Sequence, residues 1–144
     1  VFDKLDALLA RAVLSVGAIK GIEFGAGFAA ARMTGSEHND AMRRSASPNG
    51  DGPHGDGPPA FLTNNAGGIL GGLSTGADVV FRAAVKPVSS ISIKQQTIDT
   101  DGNDCDIEVR GRHDVCLCPR IVPVIEAMAA LTVLDLLLQQ RPLR

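Results

Sequence analysis

The sequence predicts an α+β fold, on three observations. An amphipathic helical stripe opens the chain, stretches of two-residue alternation follow it, and a long apolar run closes it. The order is helix, strand, helix, strands, helix. At 144 residues the chain has the length of one ordinary domain. With 44% hydrophobic residues it can build a core, but five Phe and no Trp or Tyr leave the packing to Leu, Ile, Val and Ala.

The first helix is expected over residues 3–16. Asp3 is the candidate N-cap, with Asp6 three residues on, and Phe2, Leu5, Leu9, Ala12, Val13 and Val16 share one face. Gly17 ends it. Ile19 to Phe24 then reads as a short strand, and Gly27 to Met33 as a second short helix ending before Gly35. Residues 43–60 are rich in Pro and Gly and lack an apolar anchor, so a disordered insertion is expected there within a single region spanning 1–144. Val79, Phe81, Ala83 and Val85 alternate with Val80, Arg82, Ala84 and Lys86, a half-buried strand closed by Pro87. Ile91 to Ile98 alternates again, Asp101-Gly102 signals a hairpin turn, and Asp106 to Arg110 is the return strand. The last helix should run about five turns, with Pro123 in its first turn. From Val124 to Leu138 it is apolar nearly all round, so burial on several sides is expected.

Composition excludes several classes. A net charge of -2 and no basic stripe with interleaved aromatics argue against a nucleic-acid partner. Glu126, Thr132 and Asp135 interrupt the longest apolar run, which falls short of a membrane span, so no membrane partner is expected. Cys105, Cys116 and Cys118 make an odd count without a signal peptide, which reads as reduced thiols. Val1 starts directly on a helix pattern, which suggests truncation, a split gene product or a processed fragment.

Four segments are candidates for chemistry. Asn64-Asn65-Ala66-Gly67-Gly68-Ile69-Leu70-Gly71-Gly72 lets backbone approach a ligand closely, although a tight packed turn fits as well. It lacks the spacing of a nucleotide motif. In Lys86-Pro87-Val88-Ser89-Ser90 a strand ends on a cation followed by two hydroxyls, a corner that can hold a phosphate or simply be a solvated strand end. Arg112-His113-Asp114 precedes the last helix; Arg112 offers a planar fork for an anion, and His113 with Asp114 offers an acid–base pair, although His and Asp adjacent in a loop are more often ordinary surface residues. Gly35 to Asp40 reads as solvated helix-end chemistry. No metal site is expected, because Cys116-x-Cys118 is too tightly spaced and has no second pair. Nothing marks Cys116 as an activated thiol.

Taken in order, "FDKLDALLARAVLSVGAIKGIEFGAGF", "GSEHND", "TNNAGGILGGLSTG", "KPVSSI" and "GRHDVCLCPRIVPVIEAM" resemble successive blocks of the C-terminal half of chorismate synthases. Arg112, Asp114, Cys116, Pro123, Glu126 and Met128 fit the most specific block. The resemblance covers nearly all of the chain outside the stretch near 43–60.

The resemblance implies an α+β sandwich, commonly a homotetramer, that converts 5-enolpyruvylshikimate 3-phosphate to chorismate and phosphate by 1,4-anti elimination. Reduced FMN is required, and NADPH reduces the flavin in bifunctional relatives. Carried over residue by residue, Gly17, Ala18 and Gly71 are backbone beside FMN. Lys86, Pro87, Val88, Ser89 and Ser90 are the FMN phosphate corner. Arg112 lies between flavin and substrate, Asp114 is a carboxylate near the flavin, and Asn64 and Asn65 line or support the pocket. One picture follows: Gly71, Lys86 and Asp114 around a shared cavity. Val88 replaces a common Thr, and Val115 a common Pro. The blocks of the N-terminal half, with the family's two catalytic histidines, have no counterpart here. The alternative to an enzyme is therefore an inactive fragment, or an FMN-binding half that needs a complementary chain. The implied compartment is the cytoplasm, with the plastid as alternative.

Overall fold

The computed structural model describes residues 2–43 and 60–141. The chain order is helix α1 (Leu5–Leu14), strand β1 (Ile19–Phe24), a 3-10 turn (Gly27–Arg32), helix α2 (Gly35–His38), strands β2 (Met42–Arg43), β3 (Ala60–Phe61), β4 (Ile69–Leu70), β5 (Leu73–Ser74), β6 (Phe81–Val85), β7 (Gln95–Ile98) and β8 (Asp104–Ile107), and helix α3 (Cys118–Gln140). Helices and strands are segregated as an α+β chain requires. The expected insertion lies outside the described residues at positions 44–59. Its two flanks are strand residues: Arg43 pairs with Ala60 and Met42 with Phe61.

The frame is the antiparallel pair β1–β6, with Ile19 opposite Val85 and Phe24 opposite Phe81. Phe24 and Phe81 pack with ring centroids 5.9 Å apart. Glu23 and Arg82, also opposite one another, form an ion pair at 3.0 Å. A two-stranded ribbon is marginal alone and needs a packed face. Here α1 and α3 supply it: Val13, Ile19 and Ile121 form the buried centre, joined by Ile22, Phe81, Ala83, Val85, Leu117 and Ile125. Leu9 and Val13, one helical turn apart, are the most deeply buried side chains.

Several expectations change. Strand β7 starts at Gln95 and not at Ile91, and the short helix after Gly27 is a 3-10 turn. Asp3 does not cap α1; Lys4 is the N-cap residue without a side-chain bond, and the Leu5 N–H instead donates to the Gly72 carbonyl at 2.9 Å. Phe2 precedes the first helical turn, so the helix period does not aim it inward and it is 89% exposed. The return strand β8 starts earlier, at Asp104, because the Asp99 carboxylate accepts the N–H groups of Asp101 and Asn103 and closes the turn there.

Helix α3 differs most. It has 23 residues, over six turns, and Pro119 occupies its first turn while Pro123 lies inside. Pro123 leaves the carbonyl of Pro119 without its usual helical donor. Only Ile121 is buried, so the all-round apolar surface is uncovered on most sides within this chain. By length and composition alone, α3 is long and apolar enough to cross a membrane, whereas the run read from sequence fell short.

Candidate functional site

Two sequence-distant segments meet where α1 turns into β1. The Lys86 N–H donates to the Ala18 carbonyl at 2.8 Å, one step beyond the Ile19–Val85 pair. Ala18 has φ +72°, a left-handed backbone that costs a residue with a Cβ about 1 kcal/mol. Part of that cost is offset by the bond to Lys86, and the turn is thereby locked onto the strand end. Gly17 is under no such demand, because a Cβ built there meets nothing within 4 Å. Lys86, Pro87 and Ser89 are exposed beyond the strand end, with Val88 and Ser90 half-buried between them.

The Arg112–Asp114 segment lies at the same end of the frame. It leads into the first turn of α3, where Leu117 and Ile121 pack with Val13, Ile19 and Val85. Arg120 donates to the Asp114 carboxylate at 2.9 Å, and Arg112 stands 3.8 Å from its other oxygen. His113 and Asp114 do not pair. The His113 ring faces the Val109 carbonyl at 2.9 Å while Arg120 takes the carboxylate, which agrees with the surface-residue reading and not with the acid–base pair. A hydrogen bond with Cys116 pushes the Cys118 thiol up, aided by partial desolvation, so this is no activated thiolate. Among the described residues, no group of three His, Cys, Asp or Glu side chains is placed to hold a metal.

Asn64, Asn65 and Gly71 lie at the opposite end. Gly71 and Gly72 form the left-handed turn between β4 and β5, and Gly72 meets the start of α1. Gly17 follows the end of α1, so the ten-residue helix, about 15 Å, separates Gly71 from the Lys86 corner. The picture of Gly71 and Lys86 around one cavity is not what this chain forms by itself. The amides of the two Asn are spent on the fold. Asn64 donates to the Asp78 carbonyl at 2.8 Å and accepts from Gly68 N–H at 2.7 Å; Asn65 donates to the Glu37 carbonyl at 3.2 Å. Gly67 abuts Gly25, and a Cβ on it would lie 2.5 Å from the Gly25 nitrogen and 2.8 Å from the Val80 carbonyl oxygen. The glycine-rich stretch is therefore a packed knot.

Asp40 organises that knot, and sequence reasoning passed over it as a solvated helix end. Its carboxylate accepts the N–H groups of Asn65 and Ala66, both at 2.8 Å, and the Thr63 hydroxyl at 2.7 Å. Partial desolvation opposes the charge. The Ala66 N–H, the Thr63 hydroxyl, the Asn65 N–H and nearby His38 outweigh it and hold the carboxyl below the usual aspartate range. Just before Asp40, Glu37 accepts the Thr34 N–H at 2.7 Å and so fixes the start of α2.

Comparison with known proteins assigns the family. Residues 1–138 match the family described as chorismate synthase. A chorismate synthase of Maridesulfovibrio salexigens is 57% identical over 141 residues, covering 98% of this chain and 36% of that protein. One from Desulfovibrio desulfuricans is 55% identical over 142 residues, and one from Syntrophobacter fumaroxidans 53%, with 37% and 36% of their lengths covered. The chain thus spans little more than a third of these relatives. A crystal structure of chorismate synthase aligns with a TM-score of 0.50 and 38% identity over 60% of this chain and 23% of that one. The chain belongs to the chorismate synthase family.

Proposed function

We propose that this chain contributes the phosphate-gripping end of a reduced-FMN site in a chorismate synthase, a lyase of the shikimate pathway. The reaction is the 1,4-anti elimination of phosphate and a ring proton from 5-enolpyruvylshikimate 3-phosphate. The observation that carries the reading is the bond between Lys86 and Ala18. It joins two blocks 68 positions apart into one corner that presents a cation, backbone groups and the Ser89 and Ser90 hydroxyls.

The chemistry of that donor set fits a phosphate. A cation carried at the strand end, with short-range hydroxyl donors beside it, can form charge-assisted hydrogen bonds to a phosphate. The open space over Gly17 would take a flat group that a side chain would obstruct. Arg112 offers an exposed guanidinium to an anionic substrate, and Arg120 holds the Asp114 carboxylate in one orientation for proton handling beside it. Reduced flavin, when bound, would supply the electron-rich ring that phosphate loss needs, without net redox change.

Asn64, Asn65 and Gly71 support this reading differently. Their separation from Lys86 makes them positioning residues, or contacts to a second flavin-binding region completed by other parts of the family's chain. Turnover accordingly needs the segments that the relatives contain and this chain does not match.

A hybrid tests the proposal. In it, this chain replaces the matched 141 residues of the M. salexigens relative. Chorismate formation with reduced FMN, within about tenfold of the parent relative, is expected. A folded hybrid that binds the substrate but releases no phosphate, beside an active parent, contradicts the reading.

A further inference from the structure

We infer that Cys116 and Cys118 form a reversible dithiol–disulfide site at the entry to α3, one that a peroxide oxidises and a small dithiol restores. The inference needs neither flavin nor substrate, and stands whether or not the Lys86 corner grips a phosphate.

The backbone sets the two residues at bridging distance. Cys116 lies two residues after Asp114, and Cys118 is the first residue of α3. Leu117 between them has φ -87° and ψ -18°, a helical conformation. Such a residue holds the Cα atoms on either side about 5.4 Å apart, the chord of two helical steps. An extended residue would put them about 6.6 Å apart. Disulfides span Cα separations of about 4.4–6.8 Å and cluster near 5.5–6 Å, so the helical form suits a bridge better. The side chains agree, because the two thiols stand within hydrogen-bond distance of one another. The cap itself is held by the helix: the Leu117 carbonyl accepts the N–H groups of Arg120 and Ile121, both at 3.0 Å.

Both thiols are exposed and Val115 beside them is fully so, which leaves the pair open to a small oxidant. Cys105 is half-buried in β8 opposite Thr97 and takes no part. The roles of the two sulfurs differ. The Cys118 S–H donates to the Cys116 sulfur, which makes Cys116 the attacking sulfur and Cys118 the resolving one. The site works by the nearness of the second thiol and does not need an activated first one.

The chemistry balances with hydrogen peroxide as the oxidant. The Cys116 sulfur takes one oxygen atom, the O–O bond breaks, and the first water leaves. The Cys118 sulfur then attacks the sulfenic acid; the S–S bond forms as the S–O bond breaks, and the hydroxyl departs with the Cys118 proton as the second water. The pair gives up two electrons and two protons in all. A dithiol returns them by exchange through a mixed disulfide.

The chain itself gives the test. Trypsin cleaves after Arg112 and Arg120, so both thiols fall in peptide 113–120 and Cys105 in another. After peroxide this peptide should be lighter by two hydrogens, free thiols should fall from three to one, and dithiothreitol should reverse both. Sulfinic acid in place of the bridge, or a cross-link between two chains through Cys116, would overturn the inference. In a glutathione redox buffer the equilibrium constant for closing the bridge should be at least about fivefold higher in the native chain than in urea. Equal constants would show that the fold does not preset the pair, and a chain that fails to fold gives that same result. With peroxide and dimedone, Cys118→Ser should accumulate trapped sulfenic acid at Cys116, and Cys116→Ser at least about tenfold less at Cys118. The reverse order would contradict the assigned roles. Amide exchange at Ile121 should be no faster once the bridge has closed, and faster exchange would show that the bridge breaks the cap.

Discussion

Removing the Asp40 carboxylate should undo the glycine-rich knot before anything else. Three hydrogen bonds at 2.7–2.8 Å end on it, two of them from backbone N–H groups of partly buried residues. A hydrogen bond to a charged group contributes about 1.5–3 kcal/mol, and an orphaned buried N–H costs about 1–3 kcal/mol. The carboxylate is only partly sheltered, so solvent screening puts the sum near the low end, about 2–4 kcal/mol for Asp40→Ala. Asp40→Asn keeps one acceptor oxygen and should lose about half as much. The chain has no Trp or Tyr, so the urea midpoint is best followed by far-UV circular dichroism. Amide exchange at Asn65 and Ala66 reads the same effect locally and should speed up roughly 30-fold or more. The pH dependence has a definite sign. The folded carboxyl lies below its ordinary value of 3.8, so its contribution is complete above that value and is lost as pH falls through the folded one. Wild type and Asp40→Ala should therefore converge in acid. Unchanged exchange at both amides and an unchanged midpoint at neutral pH would refute the reasoning.

Two further substitutions probe backbone demands. Gly67→Ala combines a left-handed φ of +67° with a Cβ 2.5 Å from the Gly25 nitrogen, and should cost at least about 2 kcal/mol in a urea titration; a loss below about 0.5 kcal/mol would contradict the close packing. Pro123→Ala restores a donor for the Pro119 carbonyl inside α3 and should stabilise the helix by about 1–3 kcal/mol, seen as a higher melting temperature; a lower one would show that the ring makes a contact worth more than the missing bond.

What the sequence makes legible is periodic. The stripe through Leu9 and Val13 marks the buried face of α1, the alternation of Phe81, Ala83 and Val85 marks β6, and Asp101-Gly102 marks the turn before β8. Phe2 fits the same period but precedes the helix, and periodicity cannot say where the first turn begins. Pro119 and Pro123 both suit a first turn, and only the Leu117 cap separates them. The apolar run of α3 reads as burial on several sides, yet only Ile121 is buried, because composition does not say which faces find a partner. The site divides in the same way. Lys86 at a strand end is readable, whereas its bond to Ala18 depends on register across β1–β6. Asp40 meets residues 25 and 26 positions away, and the Asn64 and Asn65 amides end on backbone carbonyls, contacts that no local pattern encodes. A warning was available in "GSEHND": a capping glutamate followed by an aspartate outside the helix leaves that aspartate free to reach elsewhere.

The most direct measurement is the FMN affinity of the hybrid before and after Lys86→Ala, followed by quenching of flavin fluorescence. A phosphate held by the Lys86 ammonium predicts a Kd raised at least about tenfold with the circular dichroism unchanged. An affinity that does not move would contradict the corner formed by Ala18 and Lys86 as the place where the cofactor's phosphate is gripped.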